Sequence, residues 1–368
     1  SAWMDLASTR AWLEDRDRQV EVMVGYSDSA KDIVPAAATL TLYRTQAELV
    51  RWAGRAGVQL TIFHGRGGSL GRGGGPLHRA VLAQPPGSLN ERLKVTEQGE
   101  VIFARYADVT LAQAHLERLA SAVLVAGTPQ VTRHNTAAEH RFAGLAATVE
   151  QASREAWLAL VRTPGFPDVL AASSPLEELG QLRLGSRPAR RSGAATGRDL
   201  SDFRAIPWVF AWSQVRANVP GWFGLGSGLA AVGDVDELRA AYRDWPLFAS
   251  LVDIAEMSLA KANPRLAAQF LALGGRPDVT DRVLEEYERT RALVLETLGQ
   301  SDLLEGKPEL RHRLALRAPS IDALSHIQLR ALRVLRSPEG STAGDGHDWS
   351  EVLLLTVNGA AAGLQNTG

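Results

Sequence analysis

The 368-residue chain contains no cysteine. Disulfides, thiolate metal centres and a cysteine nucleophile are therefore excluded. It also lacks a charge bias: 40 basic and 41 acidic residues leave a formal net charge of -1. No general electrostatic pull toward nucleic acid or an anionic membrane is expected, so an anion site has to be built from local arginines. No apolar run is long enough to span a bilayer. The first residues, Ser1-Ala2-Trp3-Met4-Asp5, do not read as a basic-then-apolar leader. A cytoplasmic protein is expected, with no nucleic-acid or membrane partner.

What is present is ordinary in bulk and unusual in detail. At 45% hydrophobic and 22% charged residues, the composition is that of a soluble globular protein with enough length for a sizeable core. Three apolar runs have strand character: residues 20–26 (VEVMVGY), 59–63 (QLTIF) and 205–212 (AIPWVFAW). Residues 93–96 read as a short fourth strand. Residues 36–53, 111–125, 137–162, 235–242, 279–298 and 321–335 place apolar side chains three and four apart, the helical spacing. Strands separated by long helices imply parallel strands joined by helical crossovers. No fixed-period repeat is found. Residues 185–199 (GSRPARRSGAATGRD) and 337–348 (SPEGSTAGDGHD) read as loops.

Four groups of residues have chemistry in them. In GYSDSAKD, residues 25–32, the carboxylate of Asp28 follows a strand. It suits a hard cation such as Mg2+, or equally an N-cap for the next helix. In HGRGGSLGRGGG, residues 64–75, glycines let an anion approach the main chain, and Arg66 and Arg72 add fork-shaped donors. No Gly-Lys-Ser/Thr closes this loop, so it is not a Walker loop, and its arginines rule out a dinucleotide fingerprint. Arg187, Arg190 and Arg191 with Arg204 form a third basic group, on a segment able to close as a lid. Lys261, Arg317 and the terminal Asn366-Thr367-Gly368 are scattered. Spacing alone makes them solvated charges and a tail.

Taken in order, GYSDSAKD, FHGRGGSLGRGG, QPPGSLNERLKVTEQGE, LGSRPARR, RAIPWVFAWSQ and the terminal QNTG resemble the motif series of the phosphoenolpyruvate carboxylases. The resemblance covers about residues 21–368. Ile33-Val34-Pro35 departs from the glycine-containing form expected there.

The resemblance implies an α/β fold, predominantly helical: the C-terminal part of a (β/α)8 TIM-type barrel with many additional helices. Residues 1–215 would hold later barrel strands and the active-site loops. Residues 216–368 would hold a helical region carrying an inhibitor site. It implies a catalytic set of Met23, Lys31, His64, Arg66, Arg187 and Arg204. Asp28 would bind Mg2+ (or Mn2+), Arg66 and Arg204 the phosphate of phosphoenolpyruvate, and His64 and Arg187 carboxyphosphate or its phosphate. Met23 would line a small apolar pocket for carbon dioxide, and residues 190–197 would close the site. Arg72, Lys261, Arg317 and Asn366 would bind the feedback inhibitor aspartate.

The implied partners are phosphoenolpyruvate and bicarbonate, in a homotetramer for the full-length enzyme. The family's catalytic histidine and a further substrate arginine, in its N-terminal half, and its first metal carboxylate, a short distance before the matched segment, have no match here, so the chain alone is expected to be inactive. The alternative is a non-catalytic aspartate-binding and oligomerisation module.

Overall fold

The computed structural model describes residues 7–25, 33–65, 77–89, 92–96, 102, 105–178, 205–337 and 348–364. Its elements follow the chain as α1 (Ala7–Glu14), β1 (Gln19–Gly25), α2 (Pro35–Ala56), β2 (Gln59–Gly65), α3 (Leu77–Leu82), β3 (Lys94–Val95), α4 (Val109–Ala126), α5 (Pro129–Arg141), α6 (Ala143–Val161) and α7 (Phe166–Ser173). They continue as α8 (Ala205–Gln214), α9 (Leu225–Val232), α10 (Val235–Asp244), α11 (Pro246–Lys261), α12 (Pro264–Leu271), α13 (Pro277–Leu298), α14 (Pro308–Arg336) and α15 (Trp349–Leu364). The fold is predominantly helical with one small parallel sheet. It divides into two compact units: one from Ser1–Tyr26, Ala38–Ala147 and Ala240–Leu251, the other from Ser27–Ala37, Thr148–Arg239 and Val252–Gly368.

The first unit contains the sheet, in the order β1-β2-β3. β1 and β2 run parallel and in register from Gln19 opposite Gln59 to Gly25 opposite Gly65. β3 adds Lys94 opposite Phe63 and Val95 opposite His64. The connection between β1 and β2 contains α2, as a parallel pair requires. Alternation sets the faces: Val20, Val22 and Val24 of β1 join Leu60 and Ile62 of β2 in one apolar cluster with Leu42, Leu49, Val50 and Ala53 of α2. Arg18 fastens the far end, donating to the carbonyls of Gly57 at 2.7 Å and Ala56 at 2.5 Å just past the last turn of α2. That is where a cation best satisfies the orphan carbonyls of a helix C-terminus.

The second unit is a helical assembly around an aromatic core. Trp157 of α6, Phe166 of α7, Trp208 and Trp212 of α8 and Phe223 are all essentially inaccessible. Their rings meet at centroid separations of 5.8–6.3 Å, the range of favourable edge and offset contacts. Proline at the first turn starts α7, α12, α13 and α14, where its missing N–H costs nothing. Gly226 brings α9 against α13: a Cβ there would meet the backbone nitrogen of Thr290 at 2.6 Å and its Cα at 2.7 Å.

Two sequence expectations need correction. Residues 205–212, expected as a third strand beside the first two, are helix α8. Trp208, Phe210, Ala211 and Trp212 are all buried. A helix buried all round shows a continuous apolar run rather than a polar face, and so imitates a buried strand. The single helix expected over 137–162 is two helices, α5 and α6, parted at Phe142. There the backbone leaves helical geometry while the ring stacks on Trp245 at 6.2 Å. The strands at 20–26, 59–63 and 93–96 appear as β1, β2 and β3.

The α9–α13 contact leaves no room for a methyl group. Gly226→Ala is expected to lower unfolding free energy by about 1–3 kcal/mol, measured by denaturant melting. Wild-type stability would refute the close approach.

Candidate functional site

The end of the parallel sheet positions the first group of residues. Gly25 and Gly65 close β1 and β2 side by side, and the segments bearing Asp28 and Arg66 follow them in sequence. A side chain at position 65 would strike Met23 Cε at 2.6 Å and the Val24 carbonyl at 3.1 Å. Glycine at this position thus gives close contact with β1, and any side chain there would have to displace Met23.

His64 lies on the buried face of β2, two residues beyond Ile62, and is wholly inaccessible. Burial pushes its pKa down from 6.5 to about 4, because an apolar surrounding penalises the cation. At neutral pH the ring is therefore uncharged. Met23 pairs with Phe63 across the sheet and is 65% exposed. It projects from the opposite face to His64, so the structure does not bring these two side chains together.

The second pair is remote in sequence. Lys261 lies in the last turn of α11 and is only 8% exposed. Burial, and then the positive charge of Arg317 on α14, push its pKa down from 10.5 to about 8. The fold thus holds two basic residues within electrostatic reach of each other, one of them buried. Asp28, Lys31, Arg66, Arg72, Arg187, Arg204, the loop 190–197 and Asn366 lie outside the described residues. Among the described residues no group of three or more histidine, aspartate or glutamate side chains converges as a metal site. None of the described helices is long and apolar enough to cross a membrane.

Sequence reasoning missed a partly buried polar network with members close in sequence to Lys261 and Arg317. Arg216, in the turn after α8, has a side chain only 5% exposed and pairs with Asp322 of α14. The signal was there: a lone arginine in the apolar stretch WSQVRANVP. A charge in such a run seldom goes inside without a partner.

These features define a mostly helical α/β chain with basic side chains held in buried positions. The sequence model described as "Phosphoenolpyruvate carboxylase" matches residues 1–368. Proteins named phosphoenolpyruvate carboxylase are similar along the chain. The one from Mycobacterium leprae is 40% identical over 100% of this chain and 40% of its own length. That from Xanthomonas campestris pv. campestris is 41% identical over 98% and 39%, and that from Chromobacterium violaceum 39% identical over 97% and 39%. The chain belongs to the phosphoenolpyruvate carboxylase family, and spans about two fifths of the length of the curated relatives it matches.

Two titrations follow from this geometry. With the folded imidazole of His64 near 4 against an ordinary 6.5, the unfolded chain binds more protons between those values. Stability therefore rises with pH through that window and levels off above it. The span is on the order of 3 kcal/mol, and His64→Leu should remove this component from unfolding curves taken between pH 4.5 and 7. Lys261 is expected to titrate near 8. Arg317→Gln should move that midpoint upward, as read from the pH dependence of Lys261 acetylation by peptide mass spectrometry. An unmoved midpoint would mean that the two cations do not interact.

Proposed function

We propose that this chain is part of an enzyme that carboxylates phosphoenolpyruvate with bicarbonate, giving oxaloacetate and phosphate. The observation that carries the reading is the family match along the whole chain. It is supported by the Asp28-bearing segment that follows the first of two parallel strands and the glycine- and arginine-bearing segment that follows the second.

Bicarbonate oxygen attacks phosphorus, the bond from phosphorus to the enol oxygen breaks, and that oxygen keeps the electron pair. The products are carboxyphosphate and the enolate of pyruvate. Carboxyphosphate then releases carbon dioxide and phosphate, and the enolate methylene carbon attacks carbon dioxide. Phosphoryl transfer of this kind depends on positioning and charge neutralisation. Arg66 and Arg204 hold the substrate phosphate, and Arg187 the phosphate transferred from it. These guanidiniums stay charged throughout. His64, neutral at pH 7, contributes a hydrogen bond. Mg2+ or Mn2+, when bound, supplies Lewis-acid stabilisation of developing negative charge, and Asp28 is the residue proposed to hold it. Residues 190–197 keep water away from the enolate, which water would convert to pyruvate. Lys31 is assigned to the same catalytic set by resemblance alone.

Lys261 and Arg317 serve a different purpose in this reading. Two neighbouring cations complement the carboxylates of an acidic inhibitor, aspartate, because each carboxylate gains a charge-assisted partner. Asn366 is assigned to the same inhibitor, and so is Arg72. The isolated chain is proposed to be inactive, since it spans about two fifths of its relatives. The homotetramer and the cytoplasmic location are likewise proposed for the full-length protein.

The test is oxaloacetate formation by the full-length protein with and without aspartate. Lys261→Ala and Arg317→Ala are each expected to raise the aspartate needed for half-inhibition by roughly 5–150-fold and to leave turnover within about twofold of the parent. Lost turnover with normal aspartate sensitivity would move Lys261 out of the inhibitor site. A full-length protein that makes no oxaloacetate would refute the enzyme reading.

A further inference from the structure

Arg216 occupies a costly position. Its φ of 61° lies in the left-handed region, strained for a residue with a side chain, and its guanidinium is buried. It donates through Nη1 to Asp322 Oδ1 and to Ser325 Oγ, the latter at 3.3 Å. Its carbonyl accepts the Asn263 N–H at 2.8 Å. Asn263 in turn donates through Nδ2 to the second oxygen of Asp322 at 3.3 Å. Its own Oδ1 caps α12 by accepting from Leu266 N at 3.2 Å. The carboxylate of Asp322 therefore holds two separate stretches of chain, the turn after α8 and the corner between α11 and α12.

Both cations of the candidate inhibitor site are attached to this network. Lys261 precedes Asn263 by two residues, and Arg317 precedes Asp322 by five on α14, about 7.5 Å along a helix axis. The buried residues of α14 are Ile321, Ser325, Gln328, Leu329, Ala331 and Leu332. The stretch 308–320, which carries Arg317, is only partly buried or exposed. Pro319 lies between Arg317 and Asp322 and removes a backbone donor from the helix. Arg317 thus sits on the loosely packed side of a proline, and Asp322 is the first ionic anchor beyond it.

We propose that Arg216, Asp322 and Asn263 form a clamp that positions Lys261 and Arg317 for an anionic ligand, a role that rests on reading that pair as the inhibitor site. None of the three need touch the ligand. They fix the α11–α12 corner against α14, and so fix the spacing of the two cations.

The experiment exchanges the ion pair without changing net charge, as Arg216→Gln with Asp322→Asn in the full-length protein. The first readout is the acetylation midpoint of Lys261, near 8 in the parent. It should move up by about one unit as the cations separate and water enters. The second is aspartate inhibition, where the half-inhibiting concentration should rise roughly 5–150-fold. Ser227→Ala, which removes a hydroxyl bonded to Glu286 in the same unit, controls for general loosening and should leave the Lys261 midpoint in place. If the double variant does not fold, Ser325→Ala deletes one bond of the clamp and should give a smaller upward shift. An unmoved midpoint in a folded variant overturns the clamp, as does an equal shift in Ser227→Ala. Aspartate insensitivity of the parent would overturn the inhibitor reading instead, and the acetylation profile would still decide the clamp.

Discussion

A charge taken out of water must find a partner, and this constraint organises the helices of the second unit. Glu256 of α11 is fully inaccessible. One of its oxygens accepts from Lys307 Nζ at 2.6 Å and the other from the amide of Leu304 at 2.8 Å. Lys307 also reaches Asp253 at 2.8 Å. The turn before α14 is thereby tied to α11, and Leu304 is kept at a φ of 61° that an aliphatic side chain would otherwise avoid. Glu286 of α13, equally buried, takes the amide and hydroxyl of Ser227 at 2.9 and 2.7 Å. Removing one partner from such a pair leaves an ion stranded, at a cost of about 3–5 kcal/mol. The same pairs that satisfy the charges therefore set which helices meet.

Lys261 is also buried, and a charge of its own sign, that of Arg317, is among those that reach it. An anion bound beside this pair would offset the repulsion between its two cations. Relief of this kind gives differential affinity without a large rearrangement, because the ligand binds best where the cations are already together. The energy that holds them there has to come from neighbours, and the pair of buried Arg216 with half-buried Asp322 is one such source on α14.

How far the sequence discloses this depends on the range of the interactions. β1 and β2 were legible because alternation and terminal glycines are local signals, and so were the helices whose exposed faces are polar. α8 was not, because enclosure on every side erases the periodicity that separates helix from strand. The break at Phe142 depends on Trp245, a hundred residues on, and no local pattern announces it. Met23 and His64 lie on opposite faces of the sheet, which the two motifs read separately do not reveal. Lys261 and Arg317 were joined by family resemblance alone; their spacing in the sequence has no period to read. Asp322 and Asn263 gave no signal at all, since a capping asparagine and a helical aspartate look ordinary until a buried arginine is found between them.

The two perturbed basic groups divide the pH axis between them. His64, neutral down to about 4 because of burial, does not change its charge anywhere in the physiological range. Any contact it makes near neutral pH it makes as an uncharged ring. Lys261, brought down to about 8, changes its charge at the alkaline edge of that range. Above its pKa it offers an anion a neutral amine and leaves Arg317 alone to supply charge. Burial and Arg317 lower the pKa, and an anion bound beside the pair would hold the proton on by linkage. Ligand affinity at this pair must therefore weaken as pH rises past 8, with the histidine indifferent over the same interval. pH sensitivity is thus a property of this basic pair, and it follows from burying a lysine within electrostatic reach of an arginine.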